Sequence, residues 1–496
     1  MNELRILVVS CLVCCAGAAL AQAPADAPAL SESRVVELAL AHNPGLRAAM
    51  IELQSAREAV RGEEGRYPLT LLLDAGGTRT KTPGLSFAGV RTSESYGAEA
   101  GAELQKRFVT GMDFAVRLGT NTRLARTSQD PTGMFETDDL GPGYGLSARI
   151  ALRQPLLRGA GAEVVEAELR AARVERTVAE RTRARVASEL LRSVLESYWE
   201  LWYAQASLTI EEQSRTLANR QRDDARARAD TGSLAAADVL TFETRVAIRE
   251  ESVVGAELER TRRRTLLAQQ LGEPGRRLQL GNPTEGEPPL PAAPPHDSEQ
   301  RALEHATDLR ELEASVELAR LRARTADDPL RSRLDLDAYV QADGLGNQAF
   351  TPAAEQLGSL GAVSAHVGIT YETALDDRAR SSAAARAHLA IDLAEARLAE
   401  AEQRVVADVR MALANEAAAR RRLELAEQSA AIAQRQLDAA QARFQTGSTT
   451  PLAVVEAEEE VRTARLRAVR ARTDAVLAGL RILHLSGDLL ARHVRH

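Results

Sequence analysis

Two copies of one pattern lie in this chain, and they limit its architecture more than any other feature. Arg228, Thr231, Gly232, Ser233, Val239, Leu240 and Glu243 recur, as identical or similar residue types, at Arg443, Thr446, Gly447, Ser448, Val454, Val455 and Glu458, an offset of 215 residues. A second set repeats with an offset of 263: Ala39, Leu40, His42, Leu46, Arg47, Ala56 and Arg57 against Ala302, Leu303, His305, Leu309, Arg310, Ala319 and Arg320. The register changes by 48 residues between the two sets, so two similar halves are expected, the first with a larger insertion. Duplicated halves suggest pseudosymmetry, which is common in pores and rings.

Residues 1–21 read as a secretory signal: Arg5 precedes an apolar run from Ile6 to Leu20, and Ala19-Leu20-Ala21 has the small-x-small form of a cleavage site. About 15 apolar residues are fewer than the roughly 20 of a spanning helix. All three cysteines, Cys11, Cys14 and Cys15, fall inside this segment, so the mature chain is expected to hold no disulfide and no thiolate metal site. A lipid-anchored terminus is the competing reading, on Val8-Val9-Ser10-Cys11, but its apolar region is only about five residues against the 7 to 15 expected. No later segment is apolar for 18 residues. Any membrane-inserted part must then be a closed β-barrel, which alone besides the helix satisfies every backbone group in hydrocarbon.

The rest of the chain reads as mainly helical. The stretch from about Gly161 to Thr231 has no Pro and, past Gly161, no Gly; residues 376–446 have neither. Each reads as one helix of about 70 residues, roughly 105 Å long, with apolar residues at alternating steps of three and four, as in Leu191, Leu195, Tyr198 and Trp202. That is coiled-coil spacing. Shorter helical stretches follow each Thr-Gly-Ser turn (about 238–271 and 452–485) and precede each strand-like region (about 31–63 and 297–327). Two short helices stacked end to end match one long one. In the last helix Ala464, Ala468, Ala471, Ala475 and Gly479 form a seam of small residues, read either as a close-packing surface or as plain alanine richness.

Strand-like segments with period-two alternation separate the helices. Leu334, Leu336, Ala338 and Val340 alternate with Asp335, Asp337, Tyr339 and Gln341, and Val363 to Tyr371 alternates in the same way. One apolar and one polar face suit a barrel wall, and equally a half-buried soluble sheet. The first half has a longer strand region, about 69–157, with a reversal expected at Val109-Thr110-Gly111; whether its extra hairpin joins the wall or projects from it is not set by the pattern. The expected division is therefore a signal (1–21), a first repeat (22–272), a Pro-rich linker (273–296), a second repeat (297–487, strands 331–374) and a C-terminal tail (488–496).

With these features in place the chain resembles the TolC-type outer-membrane efflux proteins. Ala39-Leu40-Ala41-His42-Asn43-Pro44 is similar to the family's opening helix, and Arg153-Gln154-Pro155-Leu156-Leu157-Arg158-Gly159 to its strand-to-helix junction. Ser197-Tyr198-Trp199-Glu200-Leu201-Trp202-Tyr203-Ala204 is similar to the aromatic segment of its long helix, and the two Arg-x-x-Thr-Gly-Ser turns resemble its helical-hairpin tips. The match runs from about residue 30 to 487, and its specificity lies in the order, spacing and repetition of the motifs. Two departures stand out: Thr373 to Arg378 lacks the junction proline, and the opening Asn-Pro is Ala306-Thr307 in the second copy.

The resemblance implies a homotrimer forming one hollow cylinder, a transmembrane β-barrel in outer-membrane lipid continued by an α-barrel of antiparallel coiled coils in the periplasm. It also implies partners: a periplasmic adaptor and an inner-membrane transporter of the RND, ABC or MFS type. On this basis Thr231, Gly232, Ser233, Thr446, Gly447 and Ser448 are the expected adaptor contacts, although glycine closing a helix explains the turns by itself. Asp238 and Glu456, six and nine residues past the two glycines, are candidates for a charged constriction, since one carboxylate per protomer becomes a ring of three. Ordinary solvated helix carboxylates are the plainer alternative. Phe444, whose side chain cannot hydrogen-bond, argues against a polar latch at its position.

Other chemistry finds little support. Eight scattered histidines show no ligand spacing with a carboxylate apart from His493 and His496 in an expected frayed tail, and no catalytic constellation or phosphate loop is present, so no cofactor, metal or enzymatic activity is expected. Arg262 to Arg264 and Arg420 to Arg422 interleave with acidic residues in a chain of formal net charge −7, which reads as solvated coiled-coil faces and not as a nucleic-acid surface. Trp199, Trp202 and Tyr203 read as helix packing. Two alternatives compete with an export channel: a periplasmic adaptor, which would have a single hairpin, and a structural coiled coil, which needs no alternating strands.

Overall fold

A computed structural model describes residues 30–86, 89–127, 140–272, 283 and 286–493. The signal segment with its cysteines, most of the first part of the Pro-rich linker, and His496 lie outside them. Eleven helices and six strands follow in order among these residues: α1 Glu32–His42, α2 Pro44–Glu64, β1 Thr70–Ser86, β2 Gly89–Arg107, β3 Asp113–Thr127, β4 Leu140–Pro155, α3 Ala162–Val165, α4 Ala167–Asp230 and α5 Ala236–Gln270. Then come α6 Ser298–His305, α7 Thr307–Ala326, β5 Arg333–Asn347, α8 Thr351–Gly358, β6 Val363–Glu372, α9 Arg378–Gln445, α10 Pro451–Leu485 and α11 Asp488–His493. No described helix is long and apolar enough to cross a membrane.

Several expected boundaries shift. The first long helix begins at Ala167, because a separate turn, α3, ends at Glu166. The two opening helices each break, at Asn43 (φ −65°, ψ 123°) and at Ala306 (φ −55°, ψ 127°), so the backbone bends alike with or without the proline. Where the second junction lacks its proline, Asp377 caps α9 instead, its carboxylate accepting from the Arg380 amide at 3.0 Å. The tail is not frayed through His493: α11 is anchored by Leu489, which is fully buried, and by Asp488, 2.6 Å from Arg301. Helix α8 was not expected at all. Its eight residues, about two turns, are too short a stretch for helical periodicity to show.

The chain divides into two compact units. One comprises Met1–Asn43, Ser193–Ala292 and Glu416–Leu480. Its core is built on Tyr198 and Trp199, packed edge to face at 5.0 Å and both essentially buried, with the Tyr198 hydroxyl donating to the Leu30 carbonyl at 3.1 Å. Trp202 donates to the Gly286 carbonyl at 2.9 Å, which ties α4 to the Pro-rich segment, while Arg470 on α10 lies over the Tyr203 ring at 5.1 Å. The small-residue seam of α10 is a packing surface: Ala464 packs with Ala433 and Leu437, and Ala471 and Ala475 pack with Ala419 and Leu423, all on α9. Gly479 lies so close to Pro291 that a Cβ would strike the proline ring. The Pro-rich segment is thus a strap, tied also by Arg420 to the Pro291 carbonyl at 2.6 Å and by Arg472 to Glu287 at 3.1 Å.

The other unit comprises Pro44–Arg192, Ala293–Asn415 and Arg481–His496, and holds the whole sheet. Ala302, Ala306 and Leu309 pack there against Val405 and Val409. The Ser188 hydroxyl, fully buried, meets Nδ1 of His484 at 2.9 Å. Burial, together with Arg192 and Arg481 and opposed by Glu189, pushes the His484 imidazole down to about 4. The folded state therefore keeps His484 neutral while the unfolded chain takes up a proton near its ordinary value. Stability linked to His484 is complete above about pH 6.5 and is lost as pH falls toward 4, by up to about 3 kcal/mol. Urea unfolding of the wild type and of His484→Gln across this range is expected to show a smaller acid loss in the variant; equal losses would contradict this assignment.

Candidate functional site

Two regions carry the candidate function, one in each unit. The first is the sheet, whose strands run in the order β1-β2-β3-β4-β5-β6 with every neighbouring pair antiparallel. The extra hairpin of the first half is therefore in the sheet: β2 pairs with β3 from Ser93–Thr127 to Arg107–Asp113. The expected reversal before β3 is made by Gly111, whose φ of +89° is in the left-handed region that glycine tolerates.

Register places like residues on like faces. Leu71 on β1, Leu104, Val116, Ile150, Val340 and Ala365 form one row of partners across all six strands. Leu73, Leu118, Val367, Ile369 and Tyr371 share this face and are exposed, Val367 to 73% and Ile369 to 69%. An apolar surface spread across six strands and left open to the outside is a surface for lipid or for another protein. The opposite face is polar and cross-braced. Arg117 joins Asp74 at 2.8 Å and Glu103 at 3.1 Å, Arg107 joins Asp113 at 2.6 Å, and Arg153 joins the buried Asp335 at 2.5 Å. Arg149 lies over the Tyr339 ring at 3.8 Å, and that ring stacks on His366 at 5.1 Å. Such a face suits contact with water.

Beyond the upper end of β6, α8 takes over as cover for β5. Ala342, Gly344 and Gly346 are buried, and a Cβ on Gly344 would collide with the Ala353 carbonyl. Gln356 accepts from the Leu345 amide at 2.8 Å, satisfying a group that β6 no longer reaches.

The second region is the pair of helical turns. In both, the glycine has a left-handed φ, +71° at Gly232 and +74° at Gly447. The Ser233 amide donates to Arg228 and the Ser448 amide to Arg443, each at 2.9 Å, while the glycine amides reach Ala229 and Phe444 at 3.0 Å. This is the Schellman arrangement that closes a helix C-terminus. Thr231 and Ser233 also bond to the Arg228 carbonyl and to each other, and Thr446 and Ser448 repeat every one of these bonds at Arg443. All six of these turn residues are exposed, as are Asp238 and Glu456. Phe444 lies under the Arg228 guanidinium, 5.0 Å from ring centre to carbon.

Below the turns the two copies of the pattern diverge. Glu243 is at the surface, paired with Arg226 at 2.5 Å, whereas its counterpart Glu458 is buried and bonded to Gln221. Burial raises the Glu458 carboxyl above the usual range, against the pull of Gln221, Arg245 and Arg249. Beside it, Arg249, itself only 5% exposed, is bonded to Glu459 and lies 3.8 Å from Glu211; Arg462 bridges the same two acids, 2.6 Å from Glu211. A cavity of about 240 Å³ adjoins this network, lined in part by Gln213, Arg245 and Glu458. The network was missed in the sequence, though a signal was there: Arg249 continues the core spacing of Val239, Phe242, Val246 and Val253.

Residues 299–488 match the family model for outer membrane efflux proteins. The whole chain has the fold of outer membrane factors of the TolC type. It is similar to CusC, from a study of its folding and transmembrane channel formation, at 15% identity and TM-score 0.64, covering 95% of each chain. It is also similar to the outer membrane protein VceC of Vibrio cholerae (17%, TM-score 0.64, covering 92% of this chain and 96% of that one). The open-state MtrE outer membrane channel of Neisseria gonorrhoeae matches as well (17%, TM-score 0.61, 92% and 89%). Among curated protein sequences none matches the chain at a significant level.

The raised carboxyl at Glu458 opposes folding once ionised, so its contribution is most favourable at acid pH and is lost as pH rises through the raised value. Glu458→Gln, which stays neutral, is therefore expected to raise the urea midpoint at pH 7 to 8, with the gain shrinking as pH falls below the ordinary carboxylate range. A gain independent of pH, or a loss at pH 8, would contradict it.

Proposed function

We propose that this protein is the outer-membrane channel of a tripartite efflux or type I secretion system, a passive exit duct without catalytic activity of its own. The observation that carries this reading is the six-stranded sheet with one exposed apolar face and one ion-paired polar face. The outer membrane efflux domain at residues 299–488 and the fold shared with outer-membrane channels support it. In this reading the chain consists of two structural repeats, three copies form the duct, and the sheets insert in the outer membrane while the helices extend into the periplasm.

The exposed turns at Thr231–Ser233 and Thr446–Ser448 would meet a periplasmic adaptor, and an inner-membrane transporter of the RND, ABC or MFS type would load the duct. Their closure, with the Thr, Gly and Ser amides and the Thr and Ser hydroxyls bonded back onto the helix end, presents a fixed knob for a partner to grip. Asp238 and Glu456, exposed in the single chain, would face other copies or the axis and set a charged constriction.

In intact outer membranes, residues 331–374 are expected to resist trypsin although they include Arg331 and Arg333. Cleavage there, or recovery of the protein as a soluble periplasmic species, would refute the channel. For the tips, the double variant Thr231→Arg and Thr446→Arg is expected to reach the outer membrane at normal level yet to lower export at least tenfold. Unchanged export would remove the turns from the docking surface.

A further inference from the structure

The cavity of about 240 Å³ beside the buried ion network is lined by all four helices of the two hairpins, α4, α5, α9 and α10. Ile210, Leu217, Leu437 and Val461 give it an apolar part. Its charged lining is lopsided. Arg245 and Arg249 enter from α5, and Arg462 and Arg465 from α10, against a single carboxyl, Glu458.

Two further carboxylates brace these arginines and are outnumbered by them. Glu459 is bonded to Arg249 and to Arg462 and lies 3.4 Å from Arg245, while Glu211 takes Arg462 at 2.6 Å and Arg249 at 3.8 Å. Three guanidiniums therefore share two carboxylates, and Arg465 donates to a neutral group, the Gln434 side-chain carbonyl, at 2.8 Å. Positive charge exceeds negative by one with Glu458 ionised and by two with it neutral. Arg249 is 5% exposed, so this excess is partly out of water, where an uncompensated charge is costly.

The ionisable groups register the same imbalance. Burial, with the neighbouring Arg249, pushes the Arg245 guanidinium below its ordinary value against the pull of Glu459 and Glu458, and burial raises the Glu458 carboxyl. The low-dielectric surroundings that cause both shifts also strengthen the attraction for an added anion. By volume the cavity holds about eight waters at roughly 30 Å³ each, and it is smaller than the roughly 300 Å³ at which sites for drug-sized ligands begin. Guanidinium forks match the paired oxygens of phosphate, sulfate or carboxylate, which a halide lacks.

We infer that this cavity binds a small oxyanion, held by Arg245 of one hairpin and by Arg462 and Arg465 of the other. The ion ties α5 to α10 and offsets the surplus charge of the network. The site goes beyond the channel reading and does not depend on it.

The test follows the urea midpoint of the full mature protein in detergent, in a zwitterionic buffer at constant ionic strength, as sodium chloride is exchanged for sodium phosphate, sulfate or succinate. The midpoint is expected to rise along a saturating curve with at least one of these ions, because a ligand that binds only the folded state stabilises it until the site is full. A response to phosphate and sulfate alone marks a tetrahedral ion, and a response to succinate alone marks a carboxylate; each supports the site. Arg245→Gln is expected to raise the half-saturating concentration at least tenfold. Arg465→Gln, at an exposed position, is expected to fold normally and to weaken binding in the same direction. Glu458→Gln removes the one carboxyl in the lining and is expected to tighten binding at least threefold at pH 8. A rise that is linear in salt and equal in all variants is the general effect of excluded ions and would overturn the site. So would equilibrium dialysis against each radiolabelled ion that finds none bound, which would leave a cavity filled by water. Either result leaves the channel reading intact.

Discussion

A backbone amide surrounded by hydrocarbon has no water to turn to, and leaving it unpaired costs several kcal/mol. In the proposed channel, that requirement falls on the sheet. It accounts, in that reading, for the exposure of Val367, Ile369 and Leu73 on a sheet in which each strand is hydrogen-bonded to the next. Beyond the reach of β6, the Gln356 side chain of α8 accepts from the Leu345 amide. On the other face the same strands hold their charges in cross-strand pairs, as Arg117 does with Asp74 and Glu103, so that a water-facing surface braces the sheet it covers.

The helical unit solves a different problem. Long helices with alanine seams approach closely, but alanine packing alone gives many nearly equivalent registers. Here the register is fixed by larger or charged groups at a few levels: Tyr198 and Trp199 in the core, Pro291 against Gly479, and the buried Arg249 and Arg462 with Glu211 and Glu459. Buried ion pairs of this kind add little net stability, because desolvation offsets the attraction, yet a slip that separates them leaves a charge unpaired. The turns at Gly232 and Gly447 are fixed as firmly, each by the same set of hydrogen bonds. Rigid ends on helices held in register are what a docking surface for a partner requires.

Much of this was legible in the sequence for identifiable reasons. Helix α9 was plain because sixty-eight residues without Gly or Pro, rich in Ala, Glu and Arg, admit little else. The turns were plain because they occur twice. Strands β5 and β6 alternate cleanly, whereas β1 and β2 are interrupted by Gly76, Gly77, Gly97 and Gly101, which carry no side chain to mark a face, so the number of strands was hidden. The buried ion network was hidden for another reason: Arg249, Glu211 and Glu459 lie on three helices, and a charged residue in a core position is intelligible only once its partners are known. Asp238 and Glu456 remain exposed carboxylates in the single chain, and their role depends on what faces them in an assembly.

The central claim is that the sheet is a segment of a wall completed by other copies. It is tested most directly by the mass of the protein extracted in detergent from purified outer membranes, corrected for bound detergent. The account predicts a mass of three mature chains. A monomer, or a protein missing from that membrane, would contradict it.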